Sequence, residues 1–156
     1  MVVALTELRT ADDTIGFGRT LGASLRTGDL VLLAGPLGAG KTTLTRGIAD
    51  GLGVGGRVSS PTFVLARVHP AGESGVPLVH VDAYRLGGDL SQLDDLDLDA
   101  DLERSAVVVE WGEGTADRLS QDYLVLRLDR RADDVRTLAF EPHGSWRDRV
   151  ADVVPT

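Results

Sequence analysis

The chain contains no cysteine. Disulfides and thiolate metal centres are therefore excluded, and a cytoplasmic protein is the simplest expectation. It contains no asparagine either, so the N-K-x-D segment commonly used by regulatory GTPases to select guanine is missing. No apolar run approaches the roughly 18 residues of a membrane span. The N-terminus has no basic segment followed by an apolar core, so no signal peptide and no membrane partner are expected. Lysine is nearly absent: of 16 basic residues, Lys41 alone is lysine and the rest are arginine. A general arginine bias does not explain why the single compact ammonium stands where it does, in a glycine-rich loop.

What is present suits one domain over residues 1–156, with 144–156 expected as a peripheral C-terminal tail. The formal net charge of −8 argues against a free-standing nucleic-acid binder, which usually carries a basic face. Met1 to Leu5 reads as a short strand. Thr10 with Asp13 reads as a capping box opening a helix, whose face carries Ile15, Gly18, Leu21 and Leu25. Asp29 to Ala34 is the continuous apolar run of a strand buried on both sides. Lys41 to Leu52 reads as a helix stopped by Gly53. Further strands are expected at Thr62 to His69, Pro77 to Asp82 and Ala106 to Glu110, the first two joined as a hairpin. Tyr123 to Leu128 and Val135 to Phe140 form a second hairpin. The pattern predicts an α/β, P-loop NTPase-like sandwich with a mixed parallel/antiparallel sheet flanked by helices.

Residues 35–42, Gly-Pro-Leu-Gly-Ala-Gly-Lys-Thr, fit G-x-x-x-x-G-K-[ST] in full, with a strand before and a helix after. The glycines permit a tight turn and let backbone N–H groups approach phosphate oxygens. The following helix offers its positive end to the same anion. Gly35, Gly38, Ala39, Gly40, Lys41, Thr42 and Thr43 are the nucleotide-binding candidates, with ATP and Mg²⁺ as the expected ligands. Lys41 is expected on the β- and γ-phosphates and the Thr42 hydroxyl on Mg²⁺.

A P-loop site needs a further carboxylate at the end of a buried strand. Asp82 ends Leu78–Asp82, and Glu110 ends Ala106–Glu110. Either can also be a strand returning to solvent. His80 shares a face with Asp82, and a lone histidine there is more often structural. Residues 89–103 hold seven carboxylates and no base, which suits a solvated edge helix or a docking surface for a basic partner.

Four segments together resemble the TsaE (YjeE) family of bacterial ATPases, which serves the synthesis of threonylcarbamoyladenosine in tRNA. They are the phosphate loop running into Arg46-Gly47; Ser59-Ser60-Pro61-Thr62-Phe63; His80-Val81-Asp82-Ala83-Tyr84-Arg85-Leu86; and Val109-Glu110-Trp111. The loop alone is common to thousands of proteins, and the combination is far more specific. The resemblance implies a small P-loop ATPase that cycles the TsaB–TsaD assembly between turnovers and meets tRNA only indirectly, through that complex. It implies that Lys41 and Thr42 hold phosphate and Mg²⁺, that Glu110 assists the metal, and that Asp82 supports hydrolysis near the γ-phosphate. Ser60 and Thr62 then belong to a loop that senses nucleotide state. Two other readings stand beside it. One is a small-molecule P-loop kinase, with Arg127, Arg130, Arg131 and Arg136 as lid arginines, although their hairpin has no glycine hinge. The other is a nucleotide-gated docking subunit with negligible turnover.

Overall fold

Leu-Val-Leu-Leu-Ala has no polar side to turn toward water, so a strand made of it needs cover on both faces. Strand β2 (Leu30–Ala34) has that cover, and all five of its residues are buried. The computed structural model describes residues 1–36, 38–54, 66–82, 98–110 and 120–155. Within them the chain runs through β1 (Ala4–Leu8), α1 (Ala11–Ser24), β2, α2 (Lys41–Leu52), β3 (Ala66–His69), β4 (Leu78–Asp82), a short helix Leu98–Leu102, β5 (Ala106–Glu110), β6 (Tyr123–Arg130) and β7 (Arg136–His143). A last helical turn, Trp146–Arg149, continues into a 3₁₀ turn, Val150–Asp152.

The strands form one seven-stranded sheet in the order β1-β7-β6-β2-β5-β4-β3. β2 runs parallel to β5 and β6, and β4 parallel to β5. β3, β7 and β1 are antiparallel additions on the two sides. The mixed sheet and both hairpins agree with the sequence. Several boundaries do not. β1 begins later than expected because its register is set by β7, with Ala4 opposite Phe140 and Leu8 opposite Arg136. The β6–β7 ladder extends to Arg130–Arg136, past the point where local polarity suggested a turn. Cross-strand pairing carries those charged residues out of the core while keeping the backbone in the ladder. Of the strand expected from Thr62, residues 66–69 are described.

Helix α1 opens with the expected capping box: Thr10 Oγ1 accepts from the Asp13 N–H at 3.0 Å, and Asp13 Oδ2 accepts from the Thr10 N–H at 3.2 Å. A cap of this kind stabilises a helix by about 1 kcal/mol. The buried face of α1 is Thr14, Phe17, Gly18, Leu21 and Gly22, rotated slightly from the expected stripe, with Ile15 only partly covered. The cause is tertiary. Gly18 and Gly22 lie against Gly47 and Ile48 of α2, where backbones meet so closely that a Cβ on Gly22 would stand 2.2 Å from the Ile48 carbonyl oxygen. α2 ends at Gly53 in the left-handed conformation (φ 70°), as its sequence predicts.

One core cluster joins α1 and α2 to the sheet face bearing Val31, Leu33, Val108 and Leu126. The other face carries Leu30, Leu32, Val79, Val81, Val107 and Val109, with Leu98 against them. The segment after Gly144 is not peripheral. Trp146 is 1% exposed and enters the first cluster with Val150 and Val153. Arg149 places its guanidinium 3.9 Å from the Trp146 ring centroid and forks onto both Asp29 oxygens at 2.6 and 2.8 Å. The last turn is thereby fastened to the start of β2. A lone tryptophan in a polar stretch gave no period from which to read this. No helix among the described residues is long and apolar enough to cross a membrane.

Candidate nucleotide-binding site

The chain leaves β2 at Ala34 and must reverse at once into α2. Gly35, Gly38 and Gly40 make the turn at φ 142°, 81° and 105°. At Gly35 a side chain is excluded for a second reason: its Cβ would lie 2.2 Å from the Leu128 carbonyl oxygen of β6. Ala39 is buried beneath the loop. Gly40 is the N-cap of α2 and brings no side-chain oxygen to its first N–H groups, an arrangement that suits a bound anion.

Lys41 opens α2 and is 7% exposed. Its Nζ donates to the carbonyl oxygen of Gly35 at 2.5 Å and approaches that of Pro36 at 3.5 Å. Burial lowers its pKa from the ordinary lysine value, against the opposing pull of Glu110 and Asp82. Both carboxylates therefore act on this ammonium.

β4 and β5 are parallel and in register, with Asp82 opposite Glu110 and His80 opposite Val108. Asp82, Glu110 and His80 are all buried. Glu110 is also the neighbour of Leu33 on β2, which brings it beside the loop. There Thr42 Oγ1 donates to Glu110 Oε1 at 3.1 Å, and His80 Nε2 lies 2.8 Å from Glu110 Oε2. Residue type alone left the two strand-end acids open and the family resemblance assigned Glu110 to the metal side; the structure brings Glu110 into contact with Thr42. The partnership of His80 with Glu110 was missed: face sharing on one strand pointed to Asp82, whereas the contact crosses to the next strand.

A hydroxyl and a carboxylate oxygen are hard donors of the kind Mg²⁺ takes, and Mg²⁺ usually keeps most of its shell for water and phosphate. Among the described residues no group of three or more His, Cys, Asp or Glu side chains forms a metal cage. The Thr42–Glu110 pair beside a phosphate loop thus fits a cation shared with a polyphosphate.

Thr43 faces a cleft of about 240 Å³ that Arg9, Thr10, Gly40, Asp134 and Arg136 also line. The Arg130 Nη1 and Arg136 Nε atoms stand 4.0 and 3.9 Å from where a Cβ would be on Gly38 and Gly40, respectively. Arg130 adjoins the loop because β6 lies parallel beside β2, and Arg136 because β7 sets it opposite Arg130; no local signal announced the β2–β6 pairing. Arg130 is held by Asp134, its Nε donating at 2.8 Å. Ser60, Thr62, Tyr84 and Trp111 lie outside the described residues.

Residues 8–138 match the family model described as threonylcarbamoyl adenosine biosynthesis protein TsaE. The chain belongs to the TsaE family. Among its relatives is the tRNA threonylcarbamoyladenosine biosynthesis protein TsaE of Streptomyces coelicolor, 62% identical over 140 residues that cover 87% of this chain and 94% of that protein. The protein of the same name from Bacillus subtilis is 36% identical over 86% of this chain and 82% of its own length. Membership of TsaE extends to the fold. The crystal structure of Bacillus subtilis YdiB superposes with a TM-score of 0.79 at 28% identity, covering 97% of this chain and 94% of that one.

Proposed function

We propose that this TsaE-family chain binds ATP with Mg²⁺ at residues 35–43 and hydrolyses it slowly in support of threonylcarbamoyladenosine synthesis in tRNA, by acting on the TsaB–TsaD assembly. The observation that carries the nucleotide reading is the hydrogen bond from Thr42 to Glu110 at the mouth of the loop. Family membership and the names of the relatives support the pathway.

The geometry of the described residues supports the following roles. With its proton directed at Glu110, the Thr42 hydroxyl would keep its lone pairs available to a bound cation. Lys41, tethered on loop carbonyls, needs only to swing from Gly35 and Pro36 to meet phosphate oxygens. The positive end of α2 and the loop amides favour the same anion. Mg²⁺, when bound, neutralises charge developing on the phosphate oxygens. Asp82, in register with Glu110, is the residue for orienting the attacking water. The cleft beside Thr43 has room for part of a nucleoside, with Arg9 and Arg136 on its rim. The family resemblance, rather than geometry, assigns Ser60 and Thr62 as the sensor of the γ-phosphate. The net charge of −8 keeps contact with tRNA indirect.

Calorimetric titration tests the site. Lys41→Ala removes a charge-assisted contact of about 1.5–3 kcal/mol, so a folded variant should bind ATP roughly 10- to 150-fold more weakly. Wild-type affinity in that variant places the nucleotide elsewhere. Phosphate release from ATP and GTP, with and without TsaB and TsaD, tests the rest. The expected result is ATP hydrolysis stimulated by the partners.

A further inference from the structure

His80 is fully buried, and its Nε2 lies 2.8 Å from Glu110 Oε2. A carboxylate only accepts, so Nε2 carries the hydrogen and donates it. The other ring nitrogen, Nδ1, is buried with no hydrogen-bond partner among the described residues. A buried polar atom left without a partner costs stability, so a residue kept only for packing would be better apolar. Among the described residues the ring makes a single polar contact, and that contact is with the carboxylate at the mouth of the phosphate loop.

The two oxygens of Glu110 are thereby differentiated. Oε1 takes the Thr42 hydroxyl at 3.1 Å and faces the loop, while Oε2 is occupied by His80. We propose that His80 is a positioning residue that holds Oε2 of Glu110 away from a cation, leaving Oε1, beside the Thr42 hydroxyl, as the oxygen that can face one, and so tunes the site for Mg²⁺ over Ca²⁺. This rests on the nucleotide reading given above. The chemistry is that of the two cations. Ca²⁺ accepts six to eight oxygens in flexible geometry and often grips a carboxylate through both of its oxygens. Mg²⁺ is smaller, demands near-octahedral geometry and takes one carboxylate oxygen, directly or through water. A carboxylate whose second oxygen is held by an imidazole N–H cannot close on a cation with both. Outer partners of this sort commonly alter metal affinity by about 10- to 100-fold when removed.

The test is the metal dependence of ADP binding, measured by calorimetry in EDTA, in Mg²⁺ and in Ca²⁺. His80→Phe keeps an aromatic ring in the buried site and removes the donor. His80→Gln returns an N–H near the position of Nε2. The Phe variant should bind ADP in EDTA as the wild type does, but need about 10- to 100-fold more Mg²⁺ to reach its metal-bound affinity. Its Ca²⁺ requirement should not rise, and should fall as both Glu110 oxygens become able to close on the ion, so the preference for Mg²⁺ shrinks, and His80→Gln should restore it. Should the Phe variant not fold, His80→Asn takes its place, with an amide too short to reach Glu110. An unchanged Mg²⁺-to-Ca²⁺ ratio in the folded variant overturns the proposal, and so does an equal loss for both cations. Failure of the wild type to bind ADP under any of the three conditions overturns the nucleotide reading itself, and is recognised because the wild type fails too.

Discussion

Asp82 and Glu110 are direct neighbours across the parallel β4–β5 pair, both buried at the strand ends that face the phosphate loop. The Thr42 hydroxyl donates to Glu110, which stands on β5 beside the loop's own strand β2, one strand closer than Asp82 on β4. Neighbouring acids with different contacts should fail differently when neutralised. Glu110→Gln should raise the Mg²⁺ concentration needed for nucleotide binding. Asp82→Asn should lower the single-turnover rate more than it lowers ATP affinity, because orientation of water acts chiefly in the transition state. Mg²⁺ titrations and single-turnover kinetics on both variants check this. Wild-type behaviour in both would reduce the two acids to strand ends.

The helix pair is a backbone-to-backbone contact, and its glycines should not tolerate side chains. A Cβ on Gly22 would meet the Ile48 carbonyl oxygen, whereas one on Gly16 meets nothing within 4 Å. Gly22→Val should destabilise the fold by about 1–3 kcal/mol through overpacking. Gly16→Ala, on the same helix, should be neutral or stabilising by up to about 1 kcal/mol. Urea melts of the two variants distinguish the cases, and an equal response would show that α1 does not depend on the close approach.

The C-terminal turn is expected to be integral to the fold. Trp146→Ala should cost about 3–5 kcal/mol by leaving a large cavity under Arg149. A chain ending at His143 should lose cooperative thermal unfolding. Retention of a wild-type melting temperature by the shortened chain would contradict this.

Acid sensitivity should localise in part to Glu141. Burial pushes its pKa up, but hydrogen bonds and charge from Arg127 and the N-terminal ammonium outweigh that and hold it below the ordinary glutamate value. A depressed carboxylate pKa contributes stability that is present above the unfolded-state value and is lost as pH falls through the lower folded-state value. Glu141→Gln should therefore narrow the stability difference between neutral and strongly acidic solution. Denaturant melts across that range measure it. An unchanged pH slope would show that the cluster is too exposed to matter, as surface pairs often are.

The loop, the helix that follows it and the buried strands are legible in the residues alone. Glycines at 35, 38 and 40, the apolar runs and the Thr10–Asp13 cap are local instructions, each acting over a few residues. Gly53 stopping α2 and the turn between β3 and β4 belong with them. Which strands became neighbours was settled by long-range contact, because hydrogen-bonded pairing between distant segments leaves no period in either one. That pairing set β6 beside β2, brought Arg130 and Arg136 to the loop, and placed His80 against Glu110 on the adjoining strand. It also drew Trp146 into the core, since a single large apolar side chain finds its cavity only when the elements around it have assembled.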